Sequence, residues 1–98
     1  MNFDHMIYSV LSQIPFGHTV SYGALARSAG FPNHSRHVGR LLKNLPKDTQ
    51  LPWHRVVNSQ GKISLPQGSD GYTEQRQRLQ SEGIPIINDK INKPYFLG

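Results

Sequence analysis

Apolar side chains recur at Phe3, Met6, Ile7, Val10, Leu11 and Ile14, with polar residues between them. This spacing places them on one face of a helical repeat and predicts an amphipathic helix over roughly the first fourteen residues. Pro15-Phe16-Gly17 ends it. Ser21 reads as the N-cap of a second, short helix from Tyr22 to about Ala29, carrying Ala24, Leu25 and Ala26. Gly30 takes the position just past its end, and Phe31-Pro32-Asn33 makes the turn. A third helix is predicted from Asn33 or His34 to about Asn44. Two short helices joined by a tight Gly-containing turn form a helix-turn-helix, here over about residues 21–45.

At about 100° per residue, Val38, Leu41, Leu42 and Leu45 fall on one side of the third helix. Arg36, Arg40 and Lys43 fall on the opposite side. The apolar stripe faces the first two helices and the basic stripe faces out. Past Pro46 the pattern is irregular through Gln50. Val56-Val57 and Lys62-Ile63-Ser64 then flank Asn58-Ser59-Gln60-Gly61, which suggests a small hairpin or paired extended segments. Ser69 or Asp70 caps another helix from about Tyr72 to Ser81, with Gly83 at its end. The expected fold is mostly α and winged-helix-like: a helix-turn-helix with a small β hairpin and a C-terminal helix, in one domain over residues 1–98.

Composition narrows the chemistry. A chain of 98 residues, 36% hydrophobic, buries only a modest core and has no room for a separate cofactor domain. It contains no cysteine, which excludes disulfides, thiolate metal sites and cysteine nucleophiles. Neither a cofactor nor a metal is expected. No apolar run approaches a membrane span, and Met1-Asn2-Phe3-Asp4-His5 lacks the regions of a secretory signal. A cytoplasmic protein is expected, associated with the nucleoid if the source is bacterial.

The net charge of +5 is unevenly placed. No acid lies between Asp4 and Asp48, a stretch holding Arg27, Arg36, Arg40, Lys43 and Lys47 with His18, His34 and His37. Acids return at Asp70, Glu74, Glu82 and Asp89. A one-sided positive field suits a polyanion, although an acidic protein or a membrane surface would also be attracted. A helix made soluble by basic side chains is the plain alternative. The third helix carries no balancing acid, which favours contact with a DNA phosphate backbone.

One stretch bears on chemistry directly. Leu51-Pro52-Trp53-His54-Arg55-Val56-Val57-Asn58 sets a histidine and an arginine together in apolar surroundings, but an indole, which is no nucleophile, precedes them. Taken singly, Tyr22 and Arg36 read as surface residues and Trp53 as a core residue. Taken together they do not. Ser21-Tyr22-Gly23-Ala24-Leu25-Ala26, then Arg36-His37-Val38-Gly39, then Pro52-Trp53-His54-Arg55-Val56 resembles the DNA-binding domain of the O6-alkylguanine-DNA alkyltransferases. Those repair enzymes carry Pro-Cys-His-Arg-Val, and Trp53 stands where their alkyl-accepting cysteine would be. The chain thus resembles the alkyltransferase-like branch, which binds alkylated DNA without removing the lesion. The alkyltransferases' additional N-terminal domain is not expected here.

The resemblance implies roles residue by residue. DNA would be bound through its minor groove, with Ser35, His37 and Gly39 along the groove-facing helix beside Arg40 and Lys43. Tyr22 would crowd the phosphate of the target nucleotide, and Arg36 would fill the gap left by the extruded base. A lesion pocket would be formed by Tyr22, Pro52, Trp53, His54, Arg55 and Val56, with the segment Asn58 to Ser64, Ser64 included, lining the rest. His54 and Glu82 correspond to the enzymes' thiol-activating relay; without a thiol they would remain as a structural pair, with Arg55 tying the loop to the fold. Two positions depart from the enzymes: Arg40 replaces a small residue, and Asn44-Leu45-Pro46 moves an asparagine one place from its proline.

Three functions follow. The first is a non-enzymatic sensor that flips O6-alkylguanine from duplex DNA and channels it, as a monomer, to nucleotide excision repair proteins. The second is a residual alkyltransferase or base-repair enzyme, for which no acceptor or positioned carboxylate adjoins the motif. The third is a helix-turn-helix transcription factor, which leaves Pro52-Trp53-His54-Arg55 without a purpose. The sensor is the expectation. The tail from Ile84, with Ile86, Ile87, Ile91, Tyr95 and Phe96, is left as a core strap, part of the DNA footprint or a partner surface.

Overall fold

The computed structural model describes residues 2–98; Met1, the first residue of the expected domain, lies outside the described residues. Helix α1 (Phe3–Leu11) starts at Asn2, whose side chain accepts the His5 amide, and it buries Ile7 and Leu11. It is shorter than the apolar spacing predicts. Pro15 disfavours helical backbone in the residue before it, so Gln13 and Ile14 enter tighter turns, bonded to the Val10 and Leu11 carbonyls. Ile14 still reaches the core. Gly17, at φ +81°, then turns the chain toward strand β1 (Val20–Ser21).

The helix-turn-helix forms as expected. Helix α2 (Tyr22–Ser28) is capped by Ser21 Oγ, which accepts the Ala24 amide at 3.0 Å. Gly30 follows at φ +91°. Helix α3 (Ser35–Lys43) packs on α2 and fully buries Val38. Beyond it, Trp53–Arg55 form a single 3₁₀ turn that leads into strand β2 (Val56–Val57).

The expected hairpin is replaced by a different pairing. Strand β2 lies parallel to β1, with Val20 opposite Val56 and Ser21 opposite Val57. Among the described residues the would-be hairpin arms share one backbone–backbone bond, Asn58 N–H to the Lys62 carbonyl, while Asn58 Oδ1 accepts the Gln60 and Lys62 amides and closes the segment into a loop. Val56 and Val57 are both buried, as suits a strand covered on both faces. Their side chains alternate. Val56 joins the core of α1, α2 and α3 around Ile7, Leu11 and Leu25, and Val57 joins a second core with Leu79, Ile84 and Ile91.

Helix α4 (Asp70–Ser81) begins two residues before the predicted start, because Ser69 Oγ caps it by accepting the Tyr72 amide. Gly83 ends it at φ +80°. The tail is a core strap. Thr19 N–H donates to the Tyr95 carbonyl, Leu97 N–H to Thr19, and Ile91 N–H to Gly61, with Ile86, Tyr95 and Phe96 against the second core. Ile87 alone of the predicted tail contacts points outward, 58% exposed.

Candidate nucleic-acid interface

A cleft of about 860 Å³ opens between the helix-turn-helix and the N-terminal half of α4. Tyr22, Ser35, Arg36, Gly39 and Lys43 line one side. Trp53 forms part of its wall, and Ser64 and Leu65 belong to the loop opposite. Tyr22 Oη and Ser64 Oγ are 2.9 Å apart, so the two sides already meet through one hydrogen bond. Arg36 occupies the first turn of α3, exposed, because the buried stripe centred on Val38 turns it outward.

The 3₁₀ turn sorts the motif residues. With about three residues per turn, consecutive side chains diverge widely. Trp53 goes to the cleft. Pro52, His54 and Arg55 instead line a separate groove of about 420 Å³ with Gln50, Leu51 and Arg78. Val56 is 1% exposed and belongs to the core. Of the expected pocket, the cleft therefore gathers Tyr22, Trp53, Asn58, Ser59 and Ser64, and Pro52, His54, Arg55 and Val56, with residues 60–63, fall outside it. Of the expected DNA-contacting helix residues, His37 and Arg40 also fall outside. His37 stacks on Phe3 of α1, 4.1 Å between ring centres and 13° between planes, and Arg40 is an exposed side chain beyond the cleft rim.

Glu82 gathers the groups that hold the 3₁₀ turn. His54 Nε2 is 2.6 Å from Glu82 Oε2, and Arg55 Nε donates to both carboxylate oxygens at 3.1 and 3.0 Å. Gly17 N–H donates to Glu82 Oε1, and Arg55 Nη1 donates to the Ile14 carbonyl. One carboxylate thus joins the end of α4, the 3₁₀ turn and the turn after α1. Burial lowers the His54 pKa below its ordinary value, and the cations Arg55 and Arg78 add to that; the bond to Glu82 opposes them without overcoming them. Burial raises the Glu82 pKa, but hydrogen bonds from Arg55, Gly17 and His54 outweigh it and hold the carboxyl below its ordinary range. At neutral pH the imidazole is neutral and donates Nε2–H to a carboxylate. Its buried Nδ1 has no partner among the described residues.

Several contributors escaped the sequence. Gln75 is 1% exposed, and its Nε2 donates to the His54 and Val56 carbonyls, pinning the motif to α4. The available signal was its place one turn before Leu79 on the same helix face. Leu42 and Leu45, expected only in the core, also line the cleft, and Asp70 and Glu74 give its α4 edge an acidic character. Among the described residues no three His, Asp or Glu side chains converge to hold a metal ion. The cleft offers hydroxyls, guanidinium and ammonium groups, and an indole face, while the imidazole base is bonded away on Glu82. Such a lining can hold a flat base and contact phosphate, and has no activated nucleophile.

Comparison with known proteins identifies the family and the fold. Residues 2–84 match the family model described as 6-O-methylguanine DNA methyltransferase, DNA binding domain. The chain is similar to the DNA base-flipping protein of Vibrio parahaemolyticus, 51% identical over 80 residues that cover 82% of this chain and 78% of that protein. It is also similar to alkyltransferase-like protein 1 of Schizosaccharomyces pombe, 38% identical over 93% of this chain and 89% of that one. Its structure superposes on Schizosaccharomyces pombe Atl1 in complex with damaged DNA containing O6-carboxymethylguanine, with a TM-score of 0.87, 37% identity, and coverage of 100% of this chain and 99% of that chain.

Proposed function

The chain belongs to the family of the 6-O-methylguanine DNA methyltransferase DNA-binding domain, and we propose that within it the protein is a non-enzymatic sensor of O6-alkylguanine in duplex DNA. The observation that carries this reading is Trp53: it stands at the acceptor position of the enzyme motif and faces the cleft, while Tyr22 and Arg36 line the same cleft. Basic side chains on α3 seat the phosphate backbone, and the cleft receives the damaged nucleotide through the minor groove. Extrusion costs a few kcal/mol of stacking and pairing. The Arg36 guanidinium offsets part of this by stacking in the vacated space, and the Trp53 indole offsets more by covering the flipped base. A cleft of about 860 Å³ lies in the usual range for a bound small molecule, about 300–1,000 Å³, so it accommodates a purine with its substituent.

No step of alkyl transfer is available to these residues. The chain has no cysteine, and His54 is committed to Glu82 outside the cleft. Holding the lesion rather than repairing it requires a second party, and we assign that role to nucleotide excision repair proteins acting on the monomer's DNA complex. A single experiment tests the core of the proposal. Affinity is measured for one short duplex with and without a single O6-methylguanine, and the recovered DNA is analysed. Preferential binding with the lesion intact is expected. Loss of the methyl group or the base would establish an enzyme instead, and equal affinity would leave a nonspecific DNA-binding domain.

A further inference from the structure

Trp53 is the only tryptophan of the chain, and it opens the turn of three residues that leads into β2. Two groups outside the motif bear on it. The guanidinium carbon of Arg78 lies 5.6 Å from the centre of the indole, over its face. Arg78 Nη2 is in turn bonded to Glu74 Oε2 at 2.7 Å, one turn earlier on α4. Glu74 lines the cleft, whereas Arg78 lines the neighbouring groove beside Pro52 and His54. Trp53 lines the cleft and Arg78 the groove, so the pair of guanidinium and indole sits at the boundary between the two. The His54 ring meets the indole nearly edge-on, at 88° and 6.2 Å, which bounds its swing on another side.

As an ion pair the Glu74–Arg78 contact is of little consequence for stability, since its side chains are 51% and 40% exposed. Its consequence is geometric. A carboxylate that fixes an arginine, and an arginine that rests on one face of an aromatic ring, together restrict the rotamers of that ring before any ligand arrives. We propose that Arg78, held by Glu74, is a positioning residue that fixes the Trp53 indole as the cleft wall and thereby sets lesion discrimination without contacting DNA. The effect on DNA rests on the sensor reading above; the effect on the indole does not.

The single tryptophan makes both parts measurable in the full chain. Arg78→Met retains the length of the side chain and removes the cation, and Arg78→Lys retains a cation. In the free protein, acrylamide quenching of Trp53 fluorescence should rise in Arg78→Met and stay near the parent in Arg78→Lys, with unchanged helical circular dichroism. The ratio of affinities for O6-methylguanine and unmodified duplexes should fall about three- to fivefold in Arg78→Met, the loss expected from one cation–π contact at an exposed site. Taking the ratio cancels the general loss of attraction that removing a positive charge brings. Arg78→Lys should restore most of it. Unchanged quenching in Arg78→Met overturns the proposal, as does a lysine variant equal to the methionine variant in both readouts. Altered quenching with an unaltered ratio overturns its second half. A parent protein with no lesion preference at all would sink the sensor reading while the quenching comparison still decides the role of Arg78.

Discussion

Arg36 shows how much of the proposed function rests on a single side chain. It is exposed at the first turn of α3 and lines the cleft that Trp53 closes, so its removal leaves no cavity and no stranded partner in the core. Substitutions of that kind usually change stability by no more than about 0.5 kcal/mol. Arg36→Ala should therefore melt like the parent and yet bind an O6-methylguanine duplex about tenfold more weakly, because nothing replaces the stack lost when the base leaves the helix. Arg36→Lys should recover the charge but little of the discrimination, since an ammonium group has no flat face to stack. Affinity equal to the parent in a folded Arg36→Ala protein would remove the residue from the flipping step. Tyr22 and Arg36 were visible in the sequence only as a surface tyrosine and a surface arginine; what made them informative was their order and spacing relative to Pro52-Trp53-His54-Arg55. Gln75 and Arg78 escaped for the converse reason. Neither belongs to that motif, and only the packing of α4 on the 3₁₀ turn brings them to His54 and Trp53.

Among the elements, the loop between β2 and α4 is held closely against the tail at Gly61. This glycine adopts φ +79°, and a Cβ built there would lie 2.6 Å from the Ile91 carbonyl oxygen, a backbone atom whose own amide is bonded back to Gly61. Gly30 provides a control, with φ +91° and nothing within 4 Å of an added Cβ. Alanine at Gly30 meets only the left-handed backbone penalty, about 1 kcal/mol. Alanine at Gly61 meets that penalty and must also displace the tail, so a loss of about 2–3 kcal/mol is expected. Thermal melting checks the difference. Gly61→Ala should melt several degrees below Gly30→Ala, and equal midpoints would mean that the tail does not press on this loop. Element ends of this type were partly legible beforehand. Ser21, Ser69, Gly30 and Gly83 cap or stop helices through bonds to residues a few places away, which a local pattern records. The pairing of Val20-Ser21 with Val56-Val57 was not legible. Each strand has only two residues and the partners are far apart in the chain, so nothing local distinguishes a parallel neighbour from the nearer hairpin arm at Lys62-Ile63-Ser64.

For the molecule as a whole, Glu82 is the junction: through His54, Arg55 and Gly17 it ties the 3₁₀ turn and the turn after α1 to the end of α4, so its titration should be felt in global stability. The 2.6 Å contact with His54 invites the view that acid strengthens this junction by charging the imidazole. The surroundings oppose it. Burial disfavours an imidazolium, and the carboxylate is already shared with Arg55, so a charged His54 would be a second cation on one anion. Its folded pKa accordingly lies below the ordinary 6.5. Between those two values the unfolded chain holds more protons than the folded one, so stability increases with pH there. The contribution is complete above 6.5 and is lost as pH falls toward the folded pKa. Glu82 has the same sign, its folded pKa lying below 4.5, so its contribution is present above that value and disappears on further acidification. The urea midpoint should thus decline in two stages, the first below pH 6.5 and the second below pH 4.5. His54→Gln, which keeps a donor for Glu82 but cannot titrate, should lessen the first decline and leave the second, and comparison with the parent cancels the other histidines. A midpoint that rises as pH is lowered from 7 to about 5.5 would show instead that imidazolium and carboxylate form a true ion pair, and that the carboxylate has charge to spare beyond what Arg55 takes.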